Sequence, residues 1–99
     1  MYAVIFRAQI KHLDDEYTAT AVRMRELAIN KYNCLDFTSC TQADQEIAIS
    51  YWSSEDDIIS WRQDPEHLAA QEKGRSRWYT NYSVEVTSIK RSYTGPVNG

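Results

Sequence analysis

Apolar residues first form a strand-like run at the start of the chain. Residues 2–10, YAVIFRAQI, are rich in β-forming side chains and end before the polar sequence KHLDDE. The alternate positions that begin at Ala3 and those that begin at Val4 are both largely apolar. Such a pattern is typical of a strand that is covered on both faces. We therefore predict a first strand whose two faces are both buried.

A long amphipathic helix is predicted next, from Asp14 to about Lys31. Acidic residues gather at its start and Lys31 lies at its end, which the helix dipole favours. The apolar positions that recur at helical spacing are Tyr17, Ala21, Met24, Leu27 and Ala28. One side of this helix is expected to be buried.

The second half of the chain predicts a hairpin, a broken helix and a closing strand. The runs CLDFTSCTQ and EIAISYW are rich in β-formers and are joined by the polar turn TQADQ. The sequence SSEDD is typical of a helix start, and Asp64 followed by Pro65 restarts the helix, which we expect to continue to about Trp78. The expected buried side of its first part consists of Ile58, Ile59 and Trp61. Residues 81–91 alternate as in a final strand.

The predicted order is strand, helix, strand, strand, helix, strand. This order favours an α+β, ferredoxin-like βαββαβ fold, with a four-stranded antiparallel sheet and its helices on one face. We expect one domain over residues 1–92 and a polar C-terminal tail over residues 93–99. A second copy of the chain is the simplest cover for the other face of the sheet, so a homodimer is predicted.

Charge and composition exclude several classes of protein. The net charge is −3, which disfavours nucleic-acid binding. No apolar run approaches the ~20 residues of a membrane span, and the N-terminus lacks the pattern of a signal peptide, so we expect a cytoplasmic protein with no membrane partner. Two cysteines without a CxxC pattern or nearby histidines predict neither a zinc site nor any other metal site.

Two segments resemble a known family. SYWSSEDDIISW and EHLAAQEKGRSRWYTNYSVEV resemble the second half of antibiotic biosynthesis monooxygenase (ABM) domains, in which a strand ending in Trp precedes a Ser/Glu helix start, a His-x-x-Ala-Gln helix and a closing strand. The resemblance extends from about Tyr2 to Arg91 and is most specific over residues 50–86. It implies a dimeric α+β barrel, in which the sheets of two copies face each other and a small apolar pocket lies between each sheet and its own helices.

The resemblance also implies a range of activities. The family includes enzymes that oxidise phenols or quinols with O₂ and no cofactor, enzymes that open haem, and members without a known reaction. In the haem-cleaving branch the site is formed by an Asn, a Trp and a His. Trp61 matches that Trp, but Gln71 stands at the His position, and the first strand offers Arg7 and Gln9 in place of the Asn. These departures disfavour haem cleavage.

The candidate catalytic residue is His67. An imidazole with an ordinary pKa near 6.5 can accept a proton at neutral pH, as a cofactor-free oxygenase requires. Gln71 lies one helical turn away and could orient a substrate oxygen. The alternative is that His67 is a partly exposed residue with no chemical role.

The candidate substrate-binding residues are aromatic or charged. Trp61 and Trp78 could form the wall for a flat ligand, and Tyr51 could do the same, although any small core would also use such residues. Arg7 needs a partner or a ligand anion if its strand is buried, and a structural ion pair is the alternative.

Two functions follow from these residues. The first is a cofactor-independent monooxygenase that acts on a small aromatic substrate with His67 as the base. The second is a non-catalytic homodimer that binds a small hydrophobic ligand, and haem binding through His67 is a further alternative. An RNA-recognition fold shares the element order, but EIAISYW lacks the required aromatic motif, so we reject it.

Overall fold

A computed structural model describes residues 1–96 of the chain. In chain order the elements are β1 (Tyr2–Ile10), α1 (Asp15–Lys31), β2 (Asp36–Gln42), β3 (Gln45–Trp52), α2 (Glu55–Arg62), α3 (Pro65–Lys73), a π-helical turn (Gly74–Trp78) and β4 (Tyr79–Ser88). The predicted order of strands and helices is confirmed. The end of the predicted tail, residues 97–99, lies outside the described residues, and the domain boundary at residue 92 stays a prediction.

The four strands form one antiparallel sheet in the order β2-β3-β1-β4. The central strand β1 pairs with β3 and β4, so that Val4 lies opposite both Ser50 and Val86. This arrangement confirms the predicted α+β, ferredoxin-like fold. The register also decides which side chains share a face, because successive residues of a strand point to opposite sides.

The hydrophobic core lies between the sheet and the helices. Val4 of β1 and Trp52 of β3 are buried together with Leu27 of α1 and Trp61 of α2. The core also contains Ala28, Cys34 and Ile58. Even-numbered residues of β1 and β3 therefore face the helices, and the odd-numbered residues lie on the opposite face.

Aspartate side chains cap two of the helices. The Asp14 carboxylate accepts a hydrogen bond from the Tyr17 amide at 2.8 Å and so begins α1. The Asp64 carboxylate accepts from the Glu66 amide at 2.8 Å, and Pro65 occupies the first turn of α3. Both helix starts confirm the sequence prediction.

Three details differ from the prediction. Ile59 is 48% exposed, because it lies about 100° around a short helix from its buried neighbour Ile58. The helix does not continue regularly to Trp78, since a π-helical turn begins at Gly74. The last strand begins at Tyr79 and ends at Ser88, instead of extending over residues 81–91.

The face of the sheet away from the helices is apolar only along its two central strands. Ala3 is buried there, and Ile5, Ile47, Ile49 and Tyr51 are partly exposed, while the side chains of the outer strands on this face are mostly polar. Among residues 1–96, no helix is both long enough and apolar enough to span a bilayer.

Candidate functional site

A cavity of about 260 Å³ lies between the sheet and the helices. Its floor includes Val4, Phe6 and Ala48, and α1 and α3 form its walls. A cavity of roughly 150 Å³ holds a benzene-sized molecule, and drug-sized ligands occupy ~300–1,000 Å³. The space therefore suits a ligand of one or two aromatic rings.

Aromatic rings form one end of the cavity. The ring of His67 packs against Trp61 with 4.3 Å between centroids and an interplanar angle of 73°. Trp61 also contacts Phe37 and Trp52, with centroid distances of 6.0 and 5.3 Å. His67 Nδ1 and Trp61 Nε1 are buried without a hydrogen-bond partner in residues 1–96. Unsatisfied buried polar atoms are uncommon in proteins, and both residues line this cavity.

The protonation state of His67 is set by its surroundings. Burial, and secondly the charge of Arg62, lower its pKa to about 4. The imidazole is therefore neutral at pH 7 but is a weaker base than the ordinary pKa of histidine predicts. Arg62 lines the same cavity, and a cation that opposes a charged imidazole favours a bound anion.

Hydroxyl and carboxyl groups lie at the other end. Tyr17 of α1, Tyr79 of β4 and Glu46 of β3 all line the cavity. Burial, together with the neighbouring Tyr79 hydroxyl and Glu46 carboxylate, raises the pKa of Tyr17 far above its usual range. The Glu46 carboxylate accepts a hydrogen bond from the Thr41 hydroxyl and is only 8% exposed.

The π-helical turn positions Trp78 and Tyr79. The Trp78 indole donates a hydrogen bond to Asp14 Oδ1 at 3.1 Å, which ties the end of this turn to the start of α1. A Cβ atom on Gly74 would lie only 2.8 Å from Tyr79 Cε2, so the glycine permits the close approach of that ring. Gly74 therefore makes room for a side chain of the same chain and does not itself line the cavity.

The structure brings four of the six predicted site residues together. His67, Trp61, Gln71 and Trp78 all line the cavity. The roles predicted for them stay predictions.

The other two lie elsewhere. Arg7 and Tyr51 occupy odd positions of β1 and β3, in register with Ile47 and Ala3, and so lie on the opposite face of the sheet. Neither lines the cavity, because alternation along a strand separates them from Val4 and Phe6. The cavity within one chain therefore does not include them, and the substrate-binding role predicted for them stays a prediction.

Sequence reasoning missed Glu46, Arg62 and Tyr17 as cavity residues. The available signal for Glu46 was strand alternation, which places it with Ala48 and Ser50 on the helix-facing side. Arg62 and Tyr17 gave a weaker signal, because a cation at the end of a helix and an aromatic residue in its first turn are ordinary features of a surface helix.

Comparisons with known proteins agree with the fold. No protein-family model matches the chain. The structure of SnoaB, a cofactor-independent oxygenase from Streptomyces nogalater, has a TM-score of 0.77 at 13% identity and covers 92% of this chain and 94% of its own. A structure described as an antibiotic biosynthesis monooxygenase has a TM-score of 0.68 at 13% identity, over 92% of this chain and 100% of its own.

Two sequence relatives were also found. Jasmonate monooxygenase ABM of Pyricularia oryzae is 27% identical over 93% of this chain, which spans 45% of the length of that relative. The uncharacterized protein YqjZ of Bacillus subtilis is 45% identical over 91 residues, which cover 91% of this chain and 80% of YqjZ. The chain thus belongs to the family of Bacillus subtilis YqjZ, and it has the fold of the antibiotic biosynthesis monooxygenases.

Proposed function

We propose that the protein is a cofactor-independent monooxygenase that oxidises a small phenolic or quinol-like aromatic with O₂. The observation that carries this proposal is the apolar cavity between the sheet and the helices, in which a neutral His67 lies beside Trp61 and Arg62. Two similar proteins support the proposal: SnoaB is described as a cofactor-independent oxygenase, and the relative from Pyricularia oryzae is named a jasmonate monooxygenase.

The reaction needs no redox group from the protein. A phenol with a reactive ring C–H position can supply all four electrons that reduce O₂. One oxygen atom enters the ring to give a quinone, and the other leaves as water with the two hydrogens that the phenol loses. The protein has to bind the ring, favour its anion and hold the developing oxygen charge.

The depressed pKa of His67 changes how the substrate anion forms. Proton transfer from a phenol with a pKa near 10 to a base with a pKa of about 4 is unfavourable by about 8 kcal/mol. Arg62 acts in the opposite sense, because its positive charge lowers the pKa of a bound phenol. We therefore assign formation of the anion to Arg62 and His67 together, with Trp61 and Gln71 orienting the ring.

Oxygen uptake tests this proposal. A panel of phenols and naphthols is incubated with the protein in a closed oxygen-electrode cell, with heat-denatured protein as the control for autoxidation. We expect one O₂ consumed per quinone formed, and a rate at least tenfold lower for Arg62→Gln and His67→Ala. Absence of protein-dependent uptake with every substrate would reject catalysis, and a wild-type rate for His67→Ala would remove His67 from the mechanism.

The second candidate is a non-catalytic protein that binds a small hydrophobic ligand. The low pKa of His67 favours this alternative, because it leaves no strong base in the cavity. Binding of naphthols without oxygen uptake would identify this function.

Haem does not fit the cavity as it stands. The cavity volume of about 260 Å³ lies below the range of pockets that hold drug-sized ligands, and haem is larger than most such ligands. His67 Nδ1 is buried, and the ring packs edge-on against Trp61. We propose no cofactor, and a haem titration with no Soret shift is the expected result.

We also propose that the protein is a homodimer. The apolar stripe formed by Ala3, Ile5, Ile47, Ile49 and Tyr51 supports this, because it lies on the face of the sheet that the chain itself leaves uncovered. A sedimentation experiment at micromolar concentration is expected to give twice the mass of one chain. A cytoplasmic location stays a prediction.

A further inference from the structure

One group in the cavity has no role in the proposed reaction: the carboxylate of Glu46. It is 8% exposed, and one of its oxygens accepts a hydrogen bond from the Thr41 hydroxyl. Within residues 1–96 Glu46 forms no ion pair, and the Tyr17 hydroxyl is the other hydrogen-bonding group beside its carboxylate. A buried carboxylate without a cation is costly unless donors surround it.

The neighbours of Glu46 are also polar. The hydroxyl groups of Tyr17 and Tyr79 lie close enough to the carboxylate to feel its charge, and both tyrosines line the cavity. Burial of Tyr17 raises its pKa, so it stays a neutral hydrogen-bond donor and acceptor. This end of the cavity therefore offers a carboxylate and two tyrosine hydroxyls.

The polar end is separated from the Trp61 end along the floor of the cavity. Glu46 and Ser50 are four residues apart in β3, which corresponds to about 13 Å of strand. Phe37, which contacts Trp61, lies opposite Ser50 in the register. A ligand that reaches both ends is therefore about the length of two fused rings with a polar group at each end.

The charges decide the chemical class of the group at the Glu46 end. An anion is disfavoured next to a carboxylate, and a cationic ligand is disfavoured by Arg25 and Arg62, which line the same cavity. An ionised carboxylate can accept several hydrogen bonds, so a neutral hydroxyl of the ligand can donate to Glu46, and hydrogen bonds from a hydroxyl to a carboxylate are among the strong ones.

We infer that Glu46 is a substrate-binding residue that accepts a hydrogen bond from a second hydroxyl of the ligand, at the end of the cavity opposite Trp61 and His67. This inference rests on the proposed function in taking the ligand to be a phenolic aromatic. It narrows the substrate class to bicyclic aromatics that carry hydroxyl groups at opposite ends.

Calorimetric titration under anaerobic conditions tests the inference, because binding is then measured without turnover. The three probes are 2-naphthol, 2,6-dihydroxynaphthalene and 6-methoxy-2-naphthol, of which only the diol carries a second donor. In the wild-type protein we expect the diol to bind about tenfold more tightly than either other probe, the low end for a hydrogen bond to a charged group.

The matched variants are Glu46→Gln and Glu85→Gln. Glu85 lies on the opposite face of the sheet, in register with Ile5, and is exposed. We expect the preference for the diol to fall below about threefold in Glu46→Gln and to stay near tenfold in Glu85→Gln. Circular dichroism melting establishes that each variant is folded, and if Glu46→Gln does not fold, the wild-type preference alone decides.

The outcomes separate this inference from the proposed function. If all three probes bind equally to the wild-type protein, or if Glu46→Gln keeps the full preference, the role of Glu46 is overturned while the aromatic cavity stands. If no probe binds, both are overturned. If the diol is preferred but neither the diol nor any member of the phenol and naphthol panel is oxidised when air is admitted, the role of Glu46 is supported and the oxygenase proposal fails.

Discussion

Lowering the pH from 8 to 5 is expected to destabilise the protein through His67. The folded protein holds the pKa of this imidazole at about 4, whereas the unfolded chain has the ordinary value of 6.5. As the pH falls below 6.5, the unfolded chain takes up a proton that the folded protein does not bind. Stability is therefore lost between about pH 6.5 and pH 4, and this loss is complete below pH 4.

The size of the effect follows from the two pKa values. At pH 5 the unfolded chain is almost fully protonated at His67 and the folded protein is protonated in about a tenth of molecules. Linkage then gives a loss of about 2 kcal/mol in the free energy of unfolding between pH 8 and pH 5. With a urea slope of about 1.5 kcal/mol per molar, the denaturation midpoint falls by about 1.3 M.

Urea denaturation followed by circular dichroism at fixed protein concentration measures this shift. His67→Gln is the matched variant, because glutamine is neutral at both pH values, and its midpoint should change by much less. Four carboxyl groups have lowered pKa values in the folded protein: Asp14, Glu16, Asp64 and Glu66. Their contribution to stability is lost only below about pH 4.5, and it is the same in the wild-type protein and in the variant. Equal midpoint shifts for the two proteins would refute the conclusion that His67 is buried with a depressed pKa.

Three further substitutions have expected effects. Gly74→Ala should destabilise the protein by about 1–2 kcal/mol and weaken naphthol binding, because the new Cβ displaces the Tyr79 ring, as melting and calorimetry would show. Ser50→Ala should cost about 1–3 kcal/mol in urea denaturation, since the buried Trp52 indole then loses the acceptor to which it donates at 2.8 Å. Ile49→Glu, in the uncovered stripe, should convert the proposed dimer into monomers in sedimentation.

Each of these substitutions has a control elsewhere in the described chain. Gly95→Ala has open space around the new atom, Ser53→Ala is at an exposed position, and Ile59→Glu is on the exposed side of α2, so all three should be close to wild type. If a control substitution changes the protein as strongly as the test substitution it is matched with, the effect is not specific to the contact described.

The fold could be predicted because the spacing of apolar residues and the helix-capping residues are both visible in the local sequence. Helical spacing identified α1, and the Asp64–Pro65 pair marked the start of α3 with its cap. The π-helical turn left no such pattern. Its end is held by one contact with a distant element, the hydrogen bond from Trp78 to Asp14, and by the local packing of Tyr79 on Gly74.

The candidate site was only partly predictable. Helical spacing placed His67 and Gln71 on one side of α3, where the cavity is. Arg7 was assigned to the pocket by residue type, although strand alternation separates it from Phe6. The depressed pKa of His67 could not be predicted, because it results from burial and from a charge five residues earlier in the chain, on another helix.

The binding of a small aromatic in the cavity is the central claim, and the indole signals of the three tryptophans test it most directly. Trp61 and Trp78 line the cavity, whereas Trp52 is fully buried beside it and its indole donates to Ser50. In ¹⁵N-resolved NMR spectra, assigned with Trp→Phe variants, titration with 2-naphthol should move the Trp61 and Trp78 signals and move the Trp52 signal much less. Unchanged signals at saturating naphthol, or a shift confined to Trp52, would contradict the claim.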